Sequence, residues 1–416
     1  MHAHKHPYTP LLSALHSHLP FSGPLYRRIQ FQVTHKSPTA HVLATFPESG
    51  PSPSPSTQEP WLAVYTDIHA GTDTQVWIFS SLETKGRGRG RVRVCDLDSI
   101  KTGDGDASTP LTPQEREITK AQLLTLFRYI RATLIPPYVA WLSTRPGHPQ
   151  MQNQNLVNQG PGQGLGLEDG GGGGGVKKLP AHVPTSFLMG TVHAALVELI
   201  VQLRDEGALR IHRGQDTFYA KYCFPLSAFP PRDPGERDRD QRGGERPNAD
   251  ADSMGGYRFH SSAGVSGIQA CHIDLVNSRT NVNRSREALM AMGGVALYHS
   301  HSRPCPLREE GQGSRTGLEM PIGWAFLGFD GSLCTLHVEP QHRGKGLAGV
   351  LGREVMKRGV GVFEPRGGQP DTEGRGGEEW FYADVAVGNA ASRRVMEKMG
   401  GVVGWTTAWL VVEVDL

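Results

Sequence analysis

The sequence lacks the marks of several broad protein classes. Its five cysteines, Cys95, Cys223, Cys271, Cys305 and Cys334, are odd in number, widely spaced and without a Cys-x-x-Cys pair. That argues against a disulfide framework or a cysteine zinc site and predicts reduced thiols in a cytoplasmic protein. No apolar run reaches the roughly 20 residues that a bilayer-spanning helix needs, and the N-terminus has no signal-peptide core. The net charge of +2 is too balanced for a general nucleic-acid or membrane-surface binder, so neither partner is expected. Hydrophobic content is 37%, low for 416 residues, because 52 glycines and 30 prolines gather in linkers. The length suggests about two to three domains, with a folded fraction smaller than the chain.

Along the chain, residues 1–19 carry His2, His4, His6, His16 and His18 without accompanying carboxylates or cysteines. A flexible polar tail is expected there, and no metal site. Leu25–Phe31, His41–Phe46, Trp61–Tyr65 and Gln75–Phe79 read as strands. Lys85–Arg91 alternates glycine with arginine; one short run reads as a solvated loop rather than an RNA-binding tail. Ala121–Leu134 is a helix by its Leu123, Leu124, Phe127, Ile130 and Leu134 stripe, stopped by Pro136-Pro137. Residues 145–175 are Gln-, Asn- and Gly-rich and expected to be disordered. A second helix is expected from Pro184, with Leu188, Val192, Leu196, Leu199, Ile200 and Leu203 as its core stripe. Charged residues 230–256 look like the main boundary.

Beyond it the pattern is denser. Ser285–Met290 reads as a helix, and Val295–Tyr298 and Ile322–Phe329 as strands. The Asp330-Gly331 turn leads into Ser332–Val338, a hairpin signal. Then comes Gln341-His342-Arg343-Gly344-Lys345-Gly346-Leu347-Ala348, and after it a helix with Leu347, Val350, Leu351 and Val355 on one face. Strand, glycine-rich turn and helix together aim unpaired backbone N–H groups and the positive end of the helix dipole at an anion. Two glycines let an extended diphosphate approach the main chain. A Walker loop is excluded because Lys345 is followed by Gly346-Leu347, with no hydroxyl for magnesium. A dinucleotide fingerprint fails because no acidic residue tips the next strand. Trp380–Val387 is that strand, Asn389–Met399 a helix closed by Gly400-Gly401, and Trp405–Val414 supplies closing strands.

Arg343-x-x-Gly346-x-Ala348 after a strand ending Val-Glu-Pro resembles the acyl-coenzyme A pyrophosphate loop of the GNAT N-acetyltransferase superfamily. Val387-Gly388-Asn389 with Ser392 and the Val395–Gly401 ending is similar to that family's closing signature. Within the family, Val-Met-x-Lys-Met looks like the glycine N-acyltransferase branch, as does Leu275-Val276-Asn277 followed by Asn283-Arg284-Ser285. The resemblance implies an α/β fold with a mixed sheet. Residues 257–416 would be the GNAT domain, 230–256 a charged linker, and 20–229 a degenerate GNAT-like domain with a disordered insertion at about 144–180. It also implies an acyl-CoA co-substrate, acetyl-CoA or another, no metal, and a small-molecule amine or amino-acid acceptor.

Site residues follow from the same resemblance. Leu336 and Val338 would pair with the pantetheine arm, Gln341–Ala348 would hold the diphosphate, and Asn389 with Ser392 would touch the arm from the opposite strand tip. An amine must lose a proton to attack, so a base is needed. The branch's glutamate position is occupied by Ser332, which leaves Asp330 as the first candidate base and His337 as the second. Their structural alternatives are a turn residue and an ordinary strand histidine. The family's leaving-group tyrosine corresponds to Met396, and Cys334 lacks the His–acid pair an acyl-cysteine route requires. Trp405 and Trp409 could line an acceptor pocket, with core packing as the default. The competing readings are a catalytically weak acyl-CoA-binding module and, more remotely, RNA binding through the Gly-Arg run.

Overall fold

The computed structural model describes residues 1–48, 59–71, 73–85, 111–144, 183–229, 256–282, 284–300, 319–359 and 380–415. The Gly-Arg run from 86 onward, the Gln/Gly-rich stretch 145–175, Asn283 and nearly all of 230–256 lie outside them.

The same order of elements occurs twice. The first half runs β1 (His2–Ala3), α1 (Thr9–His16), α2 (Gly23–Thr34), β2 (His41–Ala44), β3 (Leu62–Thr66) and β4 (Val76–Ser80). It continues with α3 (Pro113–Tyr129), α4 (Ile135–Ser143), β5 (Ser186–His193), α5 (Ala194–Asp205), β6 (Leu209–Arg213) and β7 (Phe218–Pro225). The second half runs β8 (Tyr257–Arg258), α6 (Ile273–Ser278), α7 (Arg286–Ala291), β9 (Gly293–His299), β10 (Gly323–Leu327) and β11 (Leu333–Val338). It closes with α8 (Leu347–Gly359), β12 (Trp380–Ala386), α9 (Ala390–Lys398) and β13 (Val402–Val414). Two helices, three antiparallel strands, a helix, a parallel strand, a helix and a closing strand recur in both, with α4 after α3 and a second closing strand added in the first half: a mixed α/β fold.

The halves share one sheet. Its order is β1-β2-β3-β4-β5-β13-β7-β12, with β6 also paired to β13; β11-β10-β9-β8 form a second sheet. Strand β7 of the first half lies between β12 and β13 of the second, antiparallel to both. The thirteen-residue β13 reaches this far by bending at bulges, pairing with β7 through Ala408 and with β5 from Thr407 onward.

Several expectations are corrected. Residues 1–19 are folded rather than a tail, because Tyr8, Leu11 and Leu15 recur at helical spacing among the histidines and are buried. Leu25–Phe31 is helical. Pro24 sits in the first turn, where it costs no hydrogen bond, and Leu25 and Ile29 share a buried face against β3 and β4. Pro136-Pro137 does not stop the helix. A π turn (Ile130–Leu134) precedes α4, and the prolines take its first positions. The helix expected from Pro184 begins only at Ala194. Phe187–Val192 form a strand buried between β4 and β13, and the four-residue spacing of Leu188 and Val192 fits either geometry. The closing strands are one strand.

Each sheet is covered on both faces. Helices α3–α5 cover one face of the first half and α1–α2 the other. In the second half α8 and α9 pack on one side, with α6 and α7 on Trp324 and Phe326 at the other. Helices α1 and α2 also bury Trp380, Tyr382 and Trp405 of the second half, so α2 lies against strands β12 and β13.

Candidate acyl-CoA site

Strands β11 and β12 run parallel and touch at one point. Ser332 bridges to Tyr382, whose N–H donates to the Gly331 carbonyl at 3.1 Å. The β10–β11 register explains why they part beyond it. Trp324 pairs with His337 but Phe326 with Cys334, so β11 carries one extra residue, and Thr335 takes φ 51°. A β-branched residue in the left-handed region costs about 1–2 kcal/mol. The bulge bends β11 away from β12, which stays paired to β7 on its other edge, and leaves a strand edge open to a ligand's amides.

The split leads to the loop. After Val338 a 3-10 turn (Pro340–His342) precedes Gly344 and Gly346, at φ 79° and 78°, both with open space where a Cβ would stand. Among the described residues, the backbone N–H groups from Gly344 to Ala348 have no partner. They form an uncapped helix N-terminus of the kind that binds phosphate. Gln341, Arg343, Gly344, Lys345 and Gly346 are exposed, whereas the Leu347 side chain belongs to the core. Arg343 Nε donates to the Val338 carbonyl at 2.9 Å, tying loop to strand. Tyr257 organises the cations: its hydroxyl accepts from Lys345 Nζ at 2.9 Å and lies 3.0 Å from His342 Nδ1. Burial and Lys345 hold the His342 pKa below its ordinary value against the pull of Glu339. At the far strand tip, Asn389 Oδ1 accepts from Ser392 N–H at 3.0 Å, capping α9.

Of the two candidate bases, Asp330 is 7% exposed and accepts from Ser332 N–H at 3.2 Å and Ser332 Oγ at 2.7 Å. Its charge is felt by Arg28, Asp384 and Cys334, so it stands at the centre of a buried polar region where the strands part. His337 stacks on Trp324 at 4.7 Å, and its Nε2 is buried and unpaired, 3.9 Å from Glu339. Burial lowers its pKa to about 4; Glu339 opposes the shift, while Arg343 and Arg279 add to it. Glu339 itself accepts from Arg279 Nε at 2.9 Å. Burial raises the Cys334 pKa, which keeps it a thiol, and Met396 is packed into the core.

Residues with no sequence signal join the site. Lys221 of β7, fully buried, pairs with Asp384 Oδ2 at 2.6 Å, and Thr407 Oγ1 donates to Asp384 Oδ1 at 2.9 Å. Burial raises the Asp384 pKa despite Lys221. Tyr222, also of β7, donates to Glu397 at 3.1 Å, one residue past Met396; burial and Glu397 push its pKa up to about 12. Lys221 and Tyr222 lie about 160 or more positions from their partners, beyond any spacing pattern.

The acyl-CoA N-acyltransferase verG N-terminal domain family matches residues 1–222. The chain belongs to this family. It is an acyl-CoA N-acyltransferase by that family, with acyl-CoA as co-substrate. The matched half is the one without the exposed loop. No curated protein sequence matches the chain. Among solved structures, a Drosophila protein aligns over 99% of this chain and 97% of its own at 11% identity and a TM-score of 0.48. A GCN5-related N-acetyltransferase from Kribbella flavida aligns over 54% of this chain and 65% of its own at 10% identity and a TM-score of 0.26. Both likenesses are distant. Among the described residues of the acyltransferase there is no helix long and apolar enough to cross a membrane, and no cluster of potential metal ligands.

Proposed function

We propose that the chain moves an acetyl or other acyl group from acyl-CoA to the amine of a small molecule or amino acid, by direct attack in a ternary complex. The observation that carries this reading is the split between β11 and β12 ahead of an uncapped α8. The diphosphate would lie on Gln341–Ala348. The pantetheine arm would lie along the open edge at Leu336 and Val338, with Asn389 and Ser392 at the opposite tip. The amine nitrogen bonds to the thioester carbon, the C–S bond breaks, and the electron pair leaves with sulfur. Asp330 takes the amine proton, and positioning supplies most of the acceleration. A backbone N–H on the open edge would stabilise the oxyanion, at ~3 kcal/mol for a well-aimed donor. His337, with its pKa near 4, is a weak proton acceptor and serves as the alternative base. Neither nucleic acid nor membrane is needed, and the free thiol of Cys334 suits the cytoplasm.

The test is incubation with acetyl-CoA and a panel of amines while thiol release is monitored. Release above background that disappears in Asp330→Ala supports the reading. Tight acyl-CoA binding without turnover on any amine would refute it.

A further inference from the structure

Helix α2 presents an arginine that the described residues leave without an ion pair. Arg28 is 8% exposed, and its guanidinium is enclosed by aromatic rings from both halves: Tyr65 at 3.8 Å, Trp77 at 5.2 Å, Phe329 at 5.5 Å and Phe31 at 5.7 Å. One nitrogen, Nη2, donates to the Tyr65 hydroxyl. The other two, Nε and Nη1, are buried without a hydrogen-bond partner, and among the described residues the group makes no ion pair.

Two carboxylates are close enough to act on Arg28 electrostatically, yet both are engaged elsewhere. Asp67 accepts from Ser37 Oγ at 2.6 Å, Thr39 Oγ1 at 2.8 Å and His69 N–H at 3.2 Å. Asp330 is held by Ser332. A permanently charged group, taken out of water and left with free donors, is the arrangement proteins avoid unless a ligand completes it. This one adjoins Phe329 and Asp330, where the thioester carbon and the attacking amine would meet.

We propose that Arg28 binds a carboxylate of the acceptor, so that the preferred acceptors are amino acids or other carboxylate-bearing amines. This rests on the acyl-transfer reading above. The acceptor's amine then faces Asp330 while its carboxylate faces Arg28, opposite charges matched across one small molecule. The first half of the chain thereby selects the substrate of a reaction performed in the second.

The experiment compares amino acids with their carboxamides, which keep the amine and side chain but lose the anion. Wild-type protein should favour the acid by about 100-fold in kcat/KM, because the carboxamide keeps one acceptor oxygen but loses the charge-assisted pairing with the guanidinium. In Arg28→Met, activity on the acid should fall to that on the amide, with activity on the amide and acyl-CoA affinity unchanged. Its thermal midpoint should equal or exceed wild type, because the variant removes unsatisfied buried donors; a purely structural arginine would lower it.

Binding is read separately, by calorimetric titration of N-acetyl amino acids and their amides with and without CoA. Binding of the acids to wild type but not to Arg28→Met supports the proposal. Equal handling of acid and amide by wild type overturns it, as does a preference for acids that survives in Arg28→Met. If CoA fails to bind, the acyl-transfer reading falls, and the difference between acid and amide still decides Arg28.

Discussion

The two halves place the same element in opposite chemical states. In each, a parallel strand pair opens beside a helix that follows the first strand of the pair. In the first half that helix, α3, closes its own N-terminus. Thr112 Oγ1 accepts from Glu115 N–H at 3.2 Å and Glu115 Oε2 accepts from Thr112 N–H at 2.8 Å, so a carboxylate already occupies the anion position. The opening there is also filled: Phe21, Leu25, Trp77, Phe79 and Trp405 line what space remains. In the second half α8 begins after two glycines, with its N–H groups free and the strand edge bare. Capping and aromatic filling turn one copy into a wall, and leaving both out keeps the other open.

The sharpest way to break this contrast is to compare two aspartates. Asp330→Asn should lower kcat about 10²–10³-fold with acyl-CoA affinity intact, since it removes the proposed base. Asp67→Asn in the first half, where hydroxyls and an N–H saturate the carboxylate, should cost stability and leave kcat unchanged. Equal effects on kcat would erase the distinction.

Gly346→Val comes next. Forcing a β-branched residue to φ 78° in the loop should weaken acyl-CoA binding about 100-fold by calorimetry, through strain of about 1–2 kcal/mol and a side chain in the diphosphate path. An unchanged Kd would mean that the loop is not the nucleotide site.

His337 supplies a pH test of the second half. Its folded pKa, about 4, lies below the unfolded value of 6.5, so between those values the unfolded chain holds more protons. Its contribution to stability is therefore full above pH 6.5 and declines as pH falls towards 4, by roughly 2 kcal/mol after allowance for partial exposure. Denaturation midpoints of wild type and His337→Gln measured from pH 7 to 4 should converge as the pH falls. Parallel curves would show that the imidazole is not held neutral by burial.

The smallest effect belongs to Glu115→Ala. It should cost about 1 kcal/mol in thermal denaturation through loss of the capping box and leave acyl-CoA affinity where it was. A gain of CoA binding at the first half would show that the cap alone distinguishes the copies.

Much of the second half was legible because its signals are local. The Asp330-Gly331 hairpin, the Arg343–Ala348 loop and the Asn389 cap each lie within a few residues. Misreadings fell where one spacing serves two geometries, as at Phe187–Val192, or where proline occupies a helix's first turn instead of its interior, as at Pro24 and Pro136. The bulge at Thr335, which opens the strands, had no signal because any residue type can be carried into a bulge by its neighbours.

The chain's own order of residues determined the hairpin at Asp330-Gly331, where the glycine loop after β11 stands, and that the helix after it begins without a cap. Tertiary structure alone decided that β7 enters the sheet between β12 and β13, bringing Lys221 to Asp384, and that α2 sets Arg28 near Asp330 some 300 positions away. The physical reason is that alternating hydrophobicity tells a strand which face to bury but not which neighbour to pair with. That choice belongs to the long-range burial of sheet edges and helix faces, settled only when the two halves fold against each other.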